Sequence, residues 1–362
     1  MAKVLLENLT KRFGSLVAVK ELNLEVKDGE FVCLLGPSGC GKTTTLRIIA
    51  GLEKPTTGNI YIGDRLVNEL SPAERDIAMV FQFYALYPGM TVFEHLAFPL
   101  ESRKTPKDEI KKKVKKAAEI LRIDHLLNEI ATKLTVGEQQ RVALGRAIVR
   151  SPQVYLLDEP LTNLDSRLRA SMRVELKKLQ RELGQTTIYV THDQLEAITM
   201  ADRIGVMDYG VLQQYDTPDR LYSNPKNLFV AGFIGTPTIN FIDCGFIEKD
   251  GKMLLDLGPF TIDISEFEKL VKERATSSEL ILGIRPEDIS VYRTHLEDRI
   301  KAVVYVTELI GDKIIIDLMV GKRLLRVLAP VTFKVEVNEK LWISFDKDKM
   351  HIFDKKTKEA IF

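Results

Sequence analysis

Residues 31–51 read FVCLLGPSGCGKTTTLRIIAG, and the reading of this stretch decides the fold. Phe31 to Leu35 is a short apolar run of the kind that fills a buried strand. The pattern breaks at Gly36 and resumes at Lys42 as an apolar-periodic helix closed by Gly51. Between them, GPSGCGKT satisfies the spacing GxxxxGK[ST] through Gly36, Gly41, Lys42 and Thr43. Glycines let backbone N–H groups turn inward around a phosphate, and the helix that follows offers an N-terminus carrying roughly +0.5 of a charge. In such a loop Lys42 reaches the β- and γ-phosphates and the Thr43 hydroxyl ligates Mg²⁺.

A second apolar run, Val154 to Leu157 (VYLL), has the continuity of a central parallel strand covered on both faces, and it ends in Asp158 and Glu159. Carboxylates at the carboxyl end of such a strand sit where open α/β sheets bind ligands. Neighbouring side chains on a strand point to opposite sides, so the two divide labour: Asp158 to hold Mg²⁺, Glu159 to polarise an attacking water as general base. Two more strands end in polar groups. Gln82 follows Ile77 to Phe81, where an amide either ligates Mg²⁺, orders a water or caps a turn; His192 follows Thr186 to Val190, where it either meets a γ-phosphate or is structural. LTVGEQQR (134–141) leads into the helical run Val142 to Val149, placing Thr135 and the amides near Gly137 as a second anion site. Phe13 stands between the strand-like segments Val4 to Leu9 and Glu21 to Val26, which are expected beside the phosphate-loop strand. It reads more simply as core than as an aromatic stacked on adenine.

Size and composition bound the rest. A chain of 362 residues exceeds what one core usually serves, and its net charge of +1 argues against a strongly basic nucleic-acid binder. The apolar runs fall far below the ~20 residues that span a bilayer, and MAKVLLENLTKRF is not a signal peptide, so a cytoplasmic protein is expected. Cys33, Cys40 and Cys244 are too few and scattered for a disulfide framework or zinc site. Thr105 to Arg122 reads as an amphipathic helix with Asp108 in the capping-box position, Ile110, Val114, Ala117, Ala118 and Leu121 on one face and a solvated lysine run on the other. The aromatic stretch FYALYPGMTVFEHLAFPL (83–100) carries two prolines that disfavour a long regular helix; its apolar surface suits either docking of another chain or burial. Asp165 caps a helix with the face Leu168, Met172, Leu176, Leu179 and Leu183, ended by Gly184. Beyond Gly235-Thr236-Pro237 the chain turns into short β runs separated by Gly, Asp and Lys turns, as in a small OB-type barrel.

GPSGCGKT, Gln82, LTVGEQQR, VYLLDEP, TNLD (162–165) and THD (191–193) together resemble the ATP-binding cassette family in order and spacing, and Phe13 matches its adenine-stacking position. GIRPED (283–288), HIFD (351–354) and the extra β-rich domain are similar to the ATPase subunits of maltose and multiple-sugar importers. The resemblance implies an α/β P-loop ATPase domain (1–235) with a parallel core sheet, an antiparallel β subdomain and a helical subdomain near 83–150. An OB-type regulatory and dimerisation domain follows (236–362). It implies ATP held by Phe13 and by Gly36, Pro37, Ser38, Gly39, Cys40, Gly41, Lys42, Thr43 and Thr44, with Mg²⁺ held by Thr43, Gln82 and Asp158. It further implies hydrolysis by Glu159, His192, Gln82 and Lys42 in a head-to-tail homodimer, or a paired cassette. There the signature Thr135, Val136, Gly137 and Glu138 meets the partner's ATP, and Asp165 links the two sites. Two membrane-spanning permease subunits, contacted by Gln82 and the stretch after it, and an extracytoplasmic solute-binding protein complete the machinery, with no nucleic acid.

One departure stands out: the family's LSGGQ or LSGGE is here LTVGE, with Val136 in place of a glycine. A left-handed backbone at that position would cost a valine about 1–2 kcal/mol, which leaves a weakly hydrolysing regulatory subunit as one reading. A polyamine, glycerol-phosphate or metal-ion importer is another. A chromosome-structure or repair ATPase would insert a very long coiled coil between phosphate loop and signature, a translation factor would carry two cassettes, and a GTPase would show NKxD; this sequence has none of these.

Overall fold

The computed structural model describes every residue except 1, 82–85, 151, 259 and 297–298. The chain divides into two compact units, Met1–Pro218 and Asp219–Phe362.

Among the described residues of the first unit, β3 (Phe31–Leu35), with all five residues buried, lies inside a six-stranded sheet. Its neighbours are β9 (Arg203–Asp208) and β8 (Thr186–Thr191), and the sheet continues through β7 (Val154–Asp158) to β6 (Ile77–Val80), all parallel. β10 (Val211–Asp216) adds one antiparallel edge. Strands buried on both faces read as unbroken apolar runs, which is why β3 and β7 are legible without alternation.

β1 (Val4–Phe13) pairs with β2 (Leu16–Val26) on one side and β4 (Thr57–Ile62) on the other in a separate antiparallel sheet, to which β5 (Arg65–Leu66) is added beside β4. The expectation that they adjoin the phosphate-loop strand is thereby corrected. They bury one face only, and an alternating strand does not suit a place between two covered faces.

α1 (Lys42–Ile49) follows β3, and its terminal carbonyls, those of Ile48 and Ile49, accept from the buried Arg75 guanidinium at 2.8 and 2.9 Å. α2 (Val92–Glu101), α3 (Lys107–Ile120) and α4 (Val136–Ile148) make a helical layer. α2 accommodates Pro99 near its end, and α3 starts after Pro106 with no side-chain cap, so the expected capping box at Asp108 does not form. Its apolar face is buried as expected and its lysines lie toward solvent. α4 begins at Val136, six residues earlier than the helical run in the sequence suggests. A Cβ on Gly145 would come within 2.4 Å of Leu96, so this glycine lets α4 pack closely on α2. α5 (Ser166–Leu183) ends at Gly184 with φ 61°, and α6 (Gln194–Met200) follows β8.

In the second unit, two five-stranded antiparallel sheets enclose one apolar core among the described residues. One contains β11 (Asn240–Lys249), β12 (Lys252–Asp256), β13 (Thr261–Asp263), β14 (Glu279–Ile284) and β20 (His351–Asp354). The other contains β15 (Ile289–Tyr292), β16 (Ile300–Ile310), β17 (Lys313–Val320), β18 (Arg323–Pro330) and β19 (Lys340–Phe345). GIRPED and HIFD meet here, Gly283 lying opposite His351 in the β14–β20 ladder. Arg285 is buried and donates to the carbonyls of Ile234 (2.8 Å) and Tyr222 (2.6 Å) while stacking on the Tyr222 ring.

Burial pushes His351 down to about 4, and the cations Arg285 and Lys349 act the same way. Between pH ~6.5 and ~4 the unfolded chain then binds more protons than the folded one, so this unit is at full strength above ~6.5 and weakens as the pH falls. Trp342, the single tryptophan, lies in this unit and reports its unfolding. Urea midpoints followed by its fluorescence should fall between pH 7 and 5, and His351→Gln should flatten that dependence.

Candidate active site

The phosphate loop is pressed against two other segments. A Cβ on Gly36 would lie 2.2 Å from the Met207 carbonyl oxygen, and one on Gly41, at φ 103°, 2.3 Å from that of Ala18. Only glycine fits either place. The turn after β9 holds the loop from outside, the Gly210 N–H donating to the Cys40 carbonyl at 3.0 Å. Ser38 and Gly39 are exposed at the tip, Pro37 and Thr44 half-buried, and Cys40 buried. Lys42 is buried with its ammonium donating to the carbonyls of Gly36 and Pro37, both at 2.8 Å. Burial pushes the Cys40 thiol up, opposed by the Lys42 ammonium 3.6 Å away.

Register brings the acids to this loop. Leu35 pairs with Thr191 and Asp158 with Val190, so β3, β8 and β7 end at the same edge of the sheet. The Thr43 hydroxyl donates to Asp158 at 2.9 Å. Glu159 comes next in a left-handed conformation (φ 47°) that a glutamate rarely adopts, its N–H donating to the Val190 carbonyl at 2.9 Å. One Glu159 carboxylate oxygen lies 3.2 Å from His192 Nδ1, and the other accepts from the Thr162 hydroxyl at 3.3 Å. Lys42, Thr43, Asp158, Glu159 and His192 are thus brought together; Gln82 lies outside the described residues.

Burial raises the Asp158 carboxyl, with Glu159 adding to the rise and the Thr43 hydrogen bond opposing it. A buried carboxylate beside a hydroxyl, with a second carboxylate next to it, is an all-oxygen donor set that a hard divalent cation would relieve. No group of three or more His, Cys, Asp or Glu side chains suited to a metal is found among the described residues.

Phe13 corrects the core reading: it is 46% exposed at the end of β1, with the Lys11 ammonium 4.7 Å from its ring centre. In the signature, Thr135 and Glu138 form a reciprocal cap, the Glu138 carboxylate accepting from the Thr135 N–H at 2.9 Å and hydroxyl at 2.7 Å. These bonds hold Glu138 below the usual carboxylate range. Val136 is the first residue of α4, 53% exposed and not left-handed, so the strain considered for a valine there does not arise. Gly137 faces Leu164, and the buried Gln140 donates to the Pro160 carbonyl. Asp165 caps α5, accepting from the N–H groups of Arg167 (3.1 Å) and Leu168 (3.0 Å).

Sequence reasoning missed Gln140, Arg169 and the Gly210 turn. Arg169 stands one turn inside a helix whose cap was recognised, and an i+4 count from Asp165 would have aimed it back at the same loop. Gln140, five residues after Thr135 and bonded to the distant Pro160 carbonyl, gives no such local signal.

Family models agree with this geometry: "ABC transporter" matches residues 19–162, "MalK OB fold domain" 235–289 and "TOBE domain" 282–353. The trehalose/maltose import ATP-binding protein MalK of Thermococcus litoralis is 52% identical, the alignment covering 100% of both chains. The chain belongs to the ATP-binding cassette family of import ATPase subunits. It is an ATP-binding enzyme of that family, an ATPase. The osmoprotective compounds uptake ATP-binding protein GgtA of a Synechocystis species is 47% identical over the whole of both chains. Among solved structures, the dimeric post-hydrolysis state of the ATP-binding cassette MJ0796 bound to ADP and Pi superimposes with a TM-score of 0.55 at 36% identity. It covers 59% of this chain and 98% of that one.

Two measurements test this site. Cys40, buried and with a raised thiol, should react slowly with a maleimide, and its complete modification, followed by mass spectrometry, should abolish nucleotide binding; unchanged affinity would count against the cradle. Val136→Gly relieves no strain and costs the start of α4 up to ~1 kcal/mol in propensity. Its ATPase rate should not exceed that of the wild type, and a severalfold gain would restore the left-handed reading.

Proposed function

We propose that this chain hydrolyses ATP to drive solute uptake, most simply of a sugar, as one half of a pair of cassettes bound to two permease subunits on the cytoplasmic side of the membrane. The observation that carries the catalytic part is the convergence of the Thr43–Asp158 bond (2.9 Å) and the Glu159–His192 pair (3.2 Å) at one edge of one sheet. The sugar assignment rests on full-length likeness to the trehalose/maltose import protein, and likeness to an uptake protein for osmoprotective compounds keeps the solute class open to test.

Each residue has a task in this reading. The loop amides from Gly36 to Thr44, with Pro37, Ser38, Gly39, Cys40 and Gly41 between, wrap the phosphates. Lys42 neutralises their charge, and Phe13 offers an exposed ring face to the adenine. Thr43, Asp158 and Gln82 hold Mg²⁺, which when bound screens the phosphate oxygens and favours phosphoryl transfer. Glu159 accepts the proton of the attacking water, and its carboxylate is oriented for this by His192 and Thr162. His192, exposed beside that carboxylate, is also free to meet the γ-phosphate.

Half of the cradle is supplied by a twin. The signature Thr135, Val136, Gly137 and Glu138 opens α4 with N–H groups suited to an anion, and Val136 is exposed. Asp165 carries the link between the two sites. These features support a head-to-tail homodimer or a paired cassette, with residues 1–235 as ATPase, 83–150 as its helical part and 236–362 as the regulatory and dimerising domain.

For the permease, α2 and α4 border a cleft of about 340 Å³ lined by Met79, Phe98, Pro99, Ala147 and the guanidinium-bearing Arg103 and Arg150. Of the described residues of the aromatic stretch, His95, Leu96 and Leu100 are buried while Tyr87 and Phe98 are each about two-fifths exposed, as is Phe81 just before it; in this reading the exposed rings are what the permease would meet. No described helix is long and apolar enough to cross a membrane, which suits a peripheral subunit. An extracytoplasmic binding protein would deliver the solute, and nucleic acid has no part.

Changing Glu159 to Gln keeps its size and removes the base. Hydrolysis should slow by roughly 10²–10⁴ while ATP still binds and ATP-trapped dimers accumulate on size exclusion. Wild-type turnover in that variant would eliminate the role. Reconstitution with the permease subunits, scored by which solute and binding protein stimulate hydrolysis, tests the sugar assignment.

A further inference from the structure

Glu159 and His192 sit on two different loops, and each loop is attached to a third group that has no part in the chemistry assigned so far. The guanidinium of Arg169, one turn into α5, donates from Nη2 to the carbonyls of Thr162 (3.2 Å) and Leu164 (3.0 Å), in the segment just after Glu159. From Nη1 it reaches Asp193 Oδ2 at 3.5 Å, in the residue next to His192. Asp193 is already the cap of α6: its other oxygen, Oδ1, accepts from the N–H groups of Leu195 (2.8 Å) and Glu196 (3.2 Å). Each carboxylate oxygen therefore has a separate task, one toward α6 and one toward Arg169.

We propose that Arg169 is a positioning residue for hydrolysis: its guanidinium clamps the loop that carries Glu159 to the loop that carries His192, and so fixes the geometry of that pair. This rests on the catalytic roles proposed for Glu159 and His192.

Three further facts favour a clamp over a simple structural contact. A cation in the first turn of α5 opposes the helix dipole, so it is not placed there for the helix's own stability. The acceptors are two carbonyls and a carboxylate lying in different directions, a set that a planar fork spans and a single ammonium does not. The histidine loop is independently fixed from beneath: the buried Glu196 carboxylate accepts from the hydroxyls of Tyr189 and Thr191, both at 2.8 Å, and Thr191 Oγ1 accepts from the Asp193 N–H at 3.0 Å. With that inner support in place, the outer bridge from Arg169 sets the spacing to the neighbouring loop. Its Nε is buried and bonds no protein group among the described residues, so the side chain is held by its two terminal nitrogens.

The test is a kinetic cycle on the full chain with Arg169→Met, His192→Ala and the double variant, alongside Arg169→Lys, measuring kcat and KM for ATP. Arg169→Met should lower kcat by about ten- to a hundredfold and leave KM within about twofold, because the phosphate loop is untouched. Arg169→Lys should resemble Met more than wild type. In the His192→Ala background, Arg169→Met should cost less than about threefold more, since the pair it positions is already broken. Multiplicative losses in the double variant, or a loss confined to KM, would overturn the clamp while leaving the catalytic assignments standing. His192→Ala at wild-type turnover would overturn the histidine's role and the clamp together. Should the Met variant fail to fold, as read by nucleotide binding, the same cycle with Lys decides the question.

Discussion

The hydrogen bond from the Thr43 hydroxyl to Asp158 joins the first turn of α1 to the end of β7, and the site has its shape because those two points are brought within 2.9 Å. The contact is a consequence of register. With Leu35 beside Thr191 and Asp158 beside Val190, the strands stop at one level, and the loops leaving them open on the same edge. A strand shifted by two residues would keep each side chain on the same face of the sheet and lose the site.

The same edge concentrates helix beginnings. α1, α4, α5 and α6 all start from loops that carry proposed site residues, and three of them are capped by side chains of those loops: Thr135 with Glu138, Asp165 and Asp193. Capping groups are therefore not separable from function here. Asp193 bonds two amides of its own helix and the guanidinium of Arg169, so a single carboxylate sets both where α6 begins and how the histidine loop lies against its neighbour.

The phosphate loop, the paired acids and the capped helix after TNLD were legible because each combines a local backbone requirement with a fixed spacing: glycines where Met207 and Ala18 approach, an unbroken apolar run ending in Asp158, a cap at Asp165 and a stop at Gly184. Less legible were features that depend on partners distant in sequence. Phe13 looks like core in a line of letters because aromatic residues usually are buried; its exposure comes from its place at the end of a hairpin strand. Whether β1 and β2 join the phosphate-loop sheet or form their own is a question of tertiary pairing, and only the alternation of their burial hints at the answer. Val136 misleads for the opposite reason: comparison with a glycine suggests a conformational demand, whereas the helix begins at Val136 itself and leaves it an ordinary first-turn position.

Glu159 holds φ at 47°, a conformation that glycine and asparagine tolerate more readily than glutamate. The residue type that the fold prefers at 159 is thus not the one that the proposed chemistry needs. A gene copy released from selection for turnover would drift there toward a sturdier and silent protein, so the carboxylate persists only while something continues to demand its work.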